Sequence, residues 1–293
     1  MPLRHLKRIL LCLTVLLGAV PAQAGEMRRI VVKGVERSYY LHVPPKPRAG
    51  MPLVIMLHGG AANGQNDVGR YGWEHMADGN GFVVAGPDGA TLRANEPASN
   101  ENYRAWNQGG IQIASNVSAS DDLGFIAALI DEIARSNAID RRRVYVAGFS
   151  SGGGLVHRLG LELPGRVAAL SAVAAGLPPT YPRPARGVPI LISAGDRDPV
   201  TPVAGKGSFV GDSHRTLIDK WRVLNDCPAP RQIAAAPDLA IEASGPCRDG
   251  SEVRYILMKG VDHVWPRTQQ IDLTQTSWDF FKRFSLPASA VRN

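Results

Sequence analysis

Residues 144–154 read Val-Tyr-Val-Ala-Gly-Phe-Ser-Ser-Gly-Gly-Gly. The apolar run at the start of this segment predicts a strand, and its last two glycines open a helix-like stretch. Between the two, Gly148 and Gly152 flank Ser150 in a G-x-S-x-G pattern. Glycines at these positions permit a strained turn that raises the serine above the edge of a sheet, directly before a helix. We therefore predict that Ser150 is a nucleophile held between a strand and a helix.

Similar apolar runs occur on both sides of this segment. Short, nearly continuous runs of this kind suit parallel strands that are buried on both faces. They are found at 53–57, 82–85, 144–147, 168–173, 189–193 and 253–258. Helix-like segments alternate with them, at 72–79, 121–136, 153–161, 216–225 and 274–284. Two stretches of alternating polarity come first and predict an antiparallel hairpin, at 28–33 and 37–43.

The alternation of strands and helices predicts the fold class. It calls for right-handed crossovers and for helices on both faces of one sheet. We expect an α/β fold with an eight-stranded, mostly parallel sheet, in which two antiparallel strands precede six parallel ones. No repeat or low-complexity linker divides the sequence, so we expect a single catalytic domain at 25–293.

A serine hydroxyl needs a neighbouring base to take its proton. The strand, turn and helix around Ser150 resemble the nucleophile elbow of α/β-hydrolases, in which an acid and then a histidine follow the serine along the chain. His157 shares the predicted helix and points away from the elbow, and His214 lies in a loop that no predicted strand leads into. His263 follows the final strand, where a turn can return its imidazole to the serine, so we predict that it is the base.

The acid is expected in the loop after the 189–193 strand, which holds Asp196 and Asp198. A carboxylate at the end of that strand would accept the Nδ1 proton of the imidazole and stabilise the cation formed during attack. Spacing does not rank the two aspartates, and the other one is expected to cap the loop or to pair with Arg197. Asp262 is too close to His263 in sequence to orient it, so we interpret it as a turn residue.

A tetrahedral oxyanion needs hydrogen-bond donors that are aligned before it forms. The backbone N–H of Ser151 is one predicted donor. The second is expected from the segment at 57–61, Leu-His-Gly-Gly-Ala, which reaches the same edge of the sheet. Gly60 is the preferred donor because it lacks a side chain, and Ala61 is the alternative. We expect His58 to shape this loop rather than to titrate.

The first residues predict an export signal. Three basic residues precede an apolar run at 9–20, and Ala22 and Ala24 fit the small positions that signal peptidase reads. A membrane anchor is the alternative, but the run is shorter than the roughly 20 residues that span a bilayer. We predict a signal peptide at 1–24, and a secreted protein, extracellular or periplasmic, with no membrane segment after cleavage.

Charge argues against a nucleic-acid partner. The formal net charge is +7 at pH 7, and Arg4, Lys7 and Arg8 leave with the signal peptide, which lowers it to +4. This is a mild excess, and the basic residues that remain are scattered. The only tight run is Arg-Arg-Arg at 141–143, which we interpret as the solvated entry to a strand. We therefore expect a small ester or an oligomer as the partner, and no nucleic acid.

The cysteines predict one disulfide. Cys12 lies within the signal peptide, so an exported chain keeps Cys227 and Cys247, an even number in an oxidising compartment. A metal pair is the alternative, but histidines at ligand spacing are missing nearby. We therefore expect neither a metal nor an organic cofactor.

Six motifs along the chain resemble those of the extracellular polyhydroxybutyrate depolymerase family, and they are also similar to those of feruloyl and acetylxylan esterases. They are Leu-His-Gly-Gly at 57–60, Trp-Asn at 106–107, Asp-Asp-Leu-Gly-Phe-Ile at 121–126, Gly-Phe-Ser-Ser-Gly-Gly at 148–153, the loop at 195–200, and His-Val-Trp-Pro at 263–266. The resemblance implies an α/β-hydrolase fold and hydrolysis of a carboxylic ester through an acyl-enzyme.

The resemblance also bears on single residues. The family pattern G-x-x-D-x-x-V falls on Gly195 and Asp198, although Val203 comes later than expected, and it favours Asp198 as the acid. The cysteine pair resembles a disulfide that precedes the last strand in these enzymes. Family members often carry a cysteine just before the Trp-Asn pair, where this chain has Ala105, so no second bridge is expected there.

Two tryptophans near the predicted site, Trp106 and Trp265, are candidates for lining a substrate pocket, with ordinary packing as the alternative. We expect the substrate to be either a hydroxyalkanoate oligomer or a plant-derived ester. A serine peptidase and a noncatalytic binding protein are the alternative functions, because both are also built on this fold. Three intact triad positions fit a binding protein poorly.

Overall fold

A computed structural model describes residues 25–91, 103–110, 115–206 and 212–291. The predicted signal peptide lies outside the described residues. Within them the strands are β1 (Glu26–Val32), β2 (Val35–His42), β3 (Met51–Leu57), β4 (Val83–Pro87), β5 (Ala90–Thr91), β6 (Arg104–Ala105), β7 (Ile139–Phe149), β8 (Ala169–Val173), β9 (Ile190–Gly195), β10 (Arg231–Ala236), β11 (Leu239–Ser244) and β12 (Val253–Met258). The α-helices are α1 (Gly64–Arg70), α2 (Trp73–Asn80), α3 (Ser115–Ser118), α4 (Asp122–Asn137), α5 (Ser151–Glu162), α6 (His214–Leu224) and α7 (Leu273–Phe281).

Ten of these strands form one sheet, in the order β1-β2-β4-β3-β7-β8-β9-β12-β11-β10. The six central strands run parallel to one another, and they are β4, β3, β7, β8, β9 and β12. The hairpin of β1 and β2 joins them on one side through an antiparallel pairing of β2 with β4. The predicted α/β class, the two antiparallel strands and the six parallel strands are confirmed. A separate pair of two-residue strands, β5 and β6, was not predicted.

The predicted number of eight strands is wrong, because the hairpin of β10 and β11 adds two antiparallel strands beside β12. Its outer strand, Arg-Gln-Ile-Ala-Ala-Ala at 231–236, is exposed along its whole length. An exposed strand needs no alternation of apolar and polar residues, so the periodicity on which the prediction rests is missing from it.

Apolar side chains cover both faces of the sheet. On one face, the core residues come from α4, α5 and α6, and include Phe125, Leu159 and Trp221. On the other face they come from α1, α2 and α7, and include Trp73 and Phe281. Alternate residues of the central strands point to opposite faces, so both faces must be apolar, and this explains the continuous apolar runs in the sequence.

The carboxyl ends of the parallel strands lie along one edge of the sheet. Four chain segments of the predicted site begin there: the loop after β3, the elbow after β7, the loop after β9 and the loop after β12. Residues far apart in the chain are thereby brought to one edge, as in other open α/β sheets. Across the described part of the chain, no helix has both the length and the apolar character needed to cross a bilayer.

Candidate active site

Ser150 lies at a strained turn between β7 and α5. Its φ of 52° and ψ of −116° are unfavourable for a residue with a side chain, and it directly precedes the first residue of α5. Its backbone N–H donates to the carbonyl of Val173 at the end of β8, over 2.9 Å. The neighbouring strand thus holds the backbone at the turn that raises the serine above the sheet.

The glycine of the elbow that matters most for contact is Gly152. A Cβ on this residue would lie 2.2 Å from the carbonyl oxygen of Leu57, the last residue of β3. A side chain would therefore push α5 away from the loop that follows β3. Glycine at this position allows the start of the helix, with Ser151, to approach the segment that holds Gly60.

Asp198 and His263 lie in direct contact, although 65 residues separate them in the chain. The Nδ1 atom of His263 is 2.7 Å from Oδ2 of Asp198, and the aspartate side chain is fully buried whereas the imidazole is 18% exposed. The ring of His263 also packs against that of Phe149, the residue before the predicted nucleophile, with centroids 4.9 Å apart. The imidazole therefore lies between the carboxylate and the elbow.

The Asp198 carboxylate accepts three further hydrogen bonds. Backbone N–H groups of Val200 and Thr201 donate to Oδ1, each over 2.8 Å, and the Thr201 hydroxyl donates to Oδ2 over 2.6 Å. Burial raises the pKa of Asp198, but the hydrogen bonds from Thr201 and His263 outweigh it and hold the pKa below its usual value. The carboxylate is therefore ionised at neutral pH, as an acceptor for the imidazole must be.

Asp196 has a different environment. Its side chain is exposed and accepts a hydrogen bond from the N–H of Gly260 over 2.7 Å. The backbone N–H of Arg197 donates to Val261 in the same loop, over 3.1 Å. Asp196 thus caps the loop at Gly260, which is one of the two roles expected for the other aspartate. This bond connects the loop after β9 to the loop that carries His263.

The other two histidines after Ser150 are buried and have other packing partners than His263. Nδ1 of His157 accepts from the indole N–H of Trp221 over 3.0 Å, in the interface of α5 and α6. His214 is the first residue of α6 and packs beside the ring of Tyr255, with centroids 6.1 Å apart. Burial lowers the pKa of both imidazoles, to about 3 for His157.

His58 is locked into the backbone of the loop after β3. Its Nδ1 donates to the carbonyl of Gly59 over 2.6 Å and its Nε2 accepts from the N–H of Gly89 over 2.9 Å, which assigns the tautomer. Burial lowers its pKa to about 4, against smaller contributions from Gly59 and Asp88 that raise it. The imidazole is therefore neutral at pH 7 and shapes the loop.

The two candidates for the second oxyanion donor differ in their partners. The N–H of Ala61 donates to the carbonyl of Arg104 over 3.0 Å and is engaged. Gly60 borders the same cleft as Ser150 and Ser151, and its N–H has no acceptor among the described residues. The arrangement thus favours Gly60 over Ala61.

A narrow cleft opens beside the predicted nucleophile, and several of its residues were not predicted. Its lining consists of Gly60, Tyr103, Gln108, Ser150, Ser151, Ala175, Gly176 and Thr201. Gln108 directly follows the Trp-Asn motif, and Thr201 stands three residues after Asp198, the spacing of a turn in which a carboxylate accepts backbone N–H groups. Both signals were present in the sequence. Tyr103, Ala175 and Gly176 carry no such signal.

The tryptophans predicted as pocket candidates are placed in the core. Trp106 is fully buried, and its indole N–H donates to the carbonyl of His58 over 3.0 Å. Trp265 is 6% exposed and stacks on Tyr71, with centroids 5.0 Å apart. Neither lines the cleft beside Ser150, so their placement favours packing over substrate contact.

The described residues contain no group of three or more His, Cys, Asp or Glu side chains arranged to hold a metal ion. Cys227 and Cys247 form the predicted disulfide. A larger cavity, of about 520 Å³, lies beside the β1–β2 hairpin, and Ser150, Asp198 and His263 do not line it. Of these two cavities, the narrow cleft is therefore the one that borders the predicted nucleophile.

Comparisons with known proteins find similarity to esterases. The family model described as "Esterase PHB depolymerase" matches residues 37–178. The putative esterase NocK of Nocardia uniformis subsp. tsuyamanensis is 30% identical over 264 residues, which cover 82% of this chain and 73% of NocK. Feruloyl esterase B of Piromyces equi is 30% identical over 215 residues, which cover 68% of this chain but only 37% of that protein.

Among solved structures, an acetyl xylan esterase from Aspergillus awamori aligns with a TM-score of 0.62, and the alignment covers 88% of this chain and 99% of that one. At 16% sequence identity this likeness shows the α/β-hydrolase fold. The family match and the similarity to NocK go further. The chain belongs to the PHB depolymerase family of esterases, and it is a carboxylic ester hydrolase.

Proposed function

We propose that this protein is an exported serine esterase in which Ser150 is the nucleophile, His263 the base and Asp198 the acid. The observation that carries the proposal is the 2.7 Å contact between His263 Nδ1 and Asp198 Oδ2, at the sheet edge where the strained Ser150 also lies. The fully buried, ionised carboxylate is suited to hold the imidazole in the tautomer whose Nε2 accepts a proton.

In the proposed reaction, the Ser150 oxygen attacks the ester carbonyl carbon while His263 Nε2 takes the hydroxyl proton. The negative oxygen of the tetrahedral intermediate accepts hydrogen bonds from the backbone N–H groups of Gly60 and Ser151. The C–O bond to the alcohol then breaks, and His263 returns the proton to the departing alkoxide. Water attacks the acyl-enzyme with the same general base, which releases the acid and restores Ser150.

The substrate proposal follows the family. We propose hydroxyalkanoate oligomers as substrates, because the family model that matches this chain is described as a PHB depolymerase. A plant-derived ester, such as a feruloyl or acetylxylan ester, is the second candidate, and the 30% identity to a feruloyl esterase favours it. Trp106 and Trp265 are buried, so we propose that they pack in the core rather than contact the substrate.

The first 24 residues are proposed to direct export of the chain. We propose cleavage after Ala24, which leaves one catalytic domain at 25–293 without a membrane segment. The Cys227–Cys247 disulfide supports the export of the chain, because such bonds persist in oxidising compartments, extracellular or periplasmic. N-terminal sequencing of the secreted protein tests the cleavage position.

The central experiment measures turnover of a short-chain nitrophenyl ester by the wild type and by Ser150→Ala. We expect the substitution to abolish turnover without changing the unfolding temperature, because it removes the attacking oxygen. Ser136→Ala is a matched control, since Ser136 is an exposed residue of α4. Undiminished turnover in Ser150→Ala would exclude Ser150 as the nucleophile.

Substrate choice is tested with a panel under one set of conditions. It compares hydroxybutyrate oligomers, methyl ferulate, acetylated xylan and a peptide amide by kcat/KM. We expect an ester to exceed the amide. The highest kcat/KM on the amide would contradict the esterase proposal in favour of a peptidase, and binding without turnover of any member would favour a binding protein.

A further inference from the structure

Thr201 contacts both oxygens of the Asp198 carboxylate. Its backbone N–H donates to Oδ1 over 2.8 Å and its hydroxyl donates to Oδ2 over 2.6 Å. Oδ2 is also the oxygen that faces Nδ1 of His263, at 2.7 Å. The threonine is 3% exposed and lines the cleft beside Ser150. One hydroxyl thus shares an acceptor atom with the imidazole that the proposed function makes the general base.

We infer that Thr201 is a positioning residue, whose hydroxyl fixes the rotation of the Asp198 carboxylate and limits the negative charge that Oδ2 presents to His263. This inference rests on the proposed function. The distance of 2.6 Å is typical of a hydroxyl that donates to an ionised carboxylate, a bond about twice as strong as one between neutral groups. The contribution is therefore large enough to measure.

The direction of the effect follows from the shared oxygen. Without the Thr201 hydroxyl, the charge on Oδ2 of Asp198 is less neutralised, and the protonated form of His263 is stabilised more strongly. Protonation of His263 is then favoured more than in the wild type, which opposes its action as a base. At the same time the carboxylate loses one of the bonds that hold its plane, so the imidazole is less well oriented for proton transfer.

Other titratable groups around Asp198 do not obscure this effect. From the loop after β12 it faces His263, and from the start of α6 the buried His214, which interacts with its charge. Burial lowers the pKa of His214, which disfavours a positive charge on this imidazole beside Asp198. Asp196 points to solvent and caps the loop at Gly260. These groups are the same in the wild type and in the Thr201 variants, so a difference between their pH profiles reports the loss of the hydroxyl.

The test compares Thr201→Ser with Thr201→Ala, a pair that differs only in the hydroxyl, and adds Thr201→Val, which keeps the size of the side chain. The measurement is kcat and KM for a nitrophenyl ester from pH 5 to 9, with unfolding temperatures for each variant. Removal of one hydrogen bond to a charged group is expected to lower kcat by roughly tenfold to a hundredfold. In Thr201→Ala and Thr201→Val we expect this loss with KM nearly unchanged and the acid limb of kcat/KM moved to higher pH.

Thr201→Ser is expected to retain kcat within about threefold of the wild type and to keep the wild-type acid limb, because it restores the donor. The inference is overturned if the serine and alanine variants have equal kcat and the same pH profile, whatever their stability. Should Thr201→Val not fold, the serine and alanine pair gives the same comparison. Ser150→Ala is measured alongside to separate failure of the proposed function from failure of this inference. If Ser150→Ala stays active, the proposed function is wrong. If Ser150→Ala is inactive and Thr201→Ser and Thr201→Ala are equal, only the inference about Thr201 is wrong.

Discussion

Asp196 and Asp198 stand two residues apart in one loop, yet their carboxylates have different partners. Asp198 is buried and bonded to His263, whereas Asp196 is exposed and bonded to the backbone of Gly260. Only the first is in contact with an imidazole. The difference in burial and partners leads to opposite expectations for the same substitution at the two positions.

Asp198→Asn is expected to lower kcat by about 10³- to 10⁴-fold, because an amide can present an N–H group to His263 Nδ1 and favour the wrong tautomer. Asp196→Asn is expected to retain kcat within about threefold, since the amide oxygen can still accept from Gly260. Steady-state kinetics of both variants on one ester checks this. The reverse ranking would assign the acid to Asp196.

Gly195 lies against the loop that carries His263. A Cβ on this last residue of β9 would lie 2.1 Å from the carbonyl oxygen of Val261, in the loop that carries His263. Gly195→Ala must therefore move apart the two loops that hold Asp198 and His263. We expect a loss of about 1–3 kcal/mol in the free energy of unfolding and at least a tenfold loss in kcat/KM.

Gly79→Ala is the matched control for this substitution. Gly79 lies in α2, and within the described part of the chain no atom beyond its chain neighbours and its own helix backbone lies within 4 Å of the position of an added Cβ. We expect this variant to keep its activity and to gain up to about 1 kcal/mol in stability, because alanine favours a helix. Denaturant unfolding and ester kinetics measure both variants. Wild-type activity in Gly195→Ala would show that the contact with Val261 does not hold the two loops in register.

At the scale of elements, the hairpin of β10 and β11 is closed by the disulfide. Cys227 follows α6 and Cys247 follows β11, so the 20 residues of sequence separation enclose both strands. The outer strand β10 is exposed throughout and offers little apolar area to hold it on the sheet. The covalent link thus confines an element whose own packing is weak.

Removal of the bridge, by reductant or by a Cys227→Ser and Cys247→Ser double substitution, is expected to lower the free energy of unfolding by about 3 kcal/mol. The physical reason is the larger conformational entropy of the unfolded chain without the closed loop. Denaturant titrations of the oxidised and reduced wild type measure the loss, and the double variant should not respond to reductant. Equal stability of the oxidised and reduced forms would contradict the expectation.

For the whole molecule, three buried histidines predict a loss of stability in acid. His58 lies in the loop after β3, and His157 and His214 lie on the neighbouring helices α5 and α6. Burial lowers the pKa of each, to about 4 for His58 and about 3 for His157. The unfolded chain binds protons on these residues near pH 6.5, whereas the folded chain does not. The free energy of unfolding therefore falls as the pH drops below about 6.5, and for His58 this continues to about pH 4.

We expect His58 and His157 each to reduce the free energy of unfolding by roughly 1–2 kcal/mol between pH 7 and pH 5, and His214 to act in the same direction. The measurement is the urea unfolding midpoint at pH 7, 6 and 5. His157→Gln removes one titrating group and keeps an acceptor for the Trp221 indole, so its stability should depend less on pH. His75→Gln, at an exposed position of α2, should leave the dependence unchanged. A midpoint that does not vary between pH 7 and pH 5 would show that these imidazoles are not held neutral.

The sequence by itself determined the features that depend on neighbouring residues and on chain order. Apolar runs located the six parallel strands, because strands buried on both faces cannot carry polar residues. The glycines around Ser150 indicated the elbow, and the order of the chain led from it to His263. These signals are local, so one chain read from end to end contains them.

Only the tertiary structure decided which loops meet and what each side chain contacts. The bond between Asp198 and His263, the engagement of the Ala61 N–H by Arg104 and the burial of Trp106 all join segments that are distant in the chain. The exposed strand β10 escaped prediction because solvent imposes no periodicity on it. The three contacts have one physical reason: packing between segments that are distant in the chain sets them, and no short stretch of sequence records it.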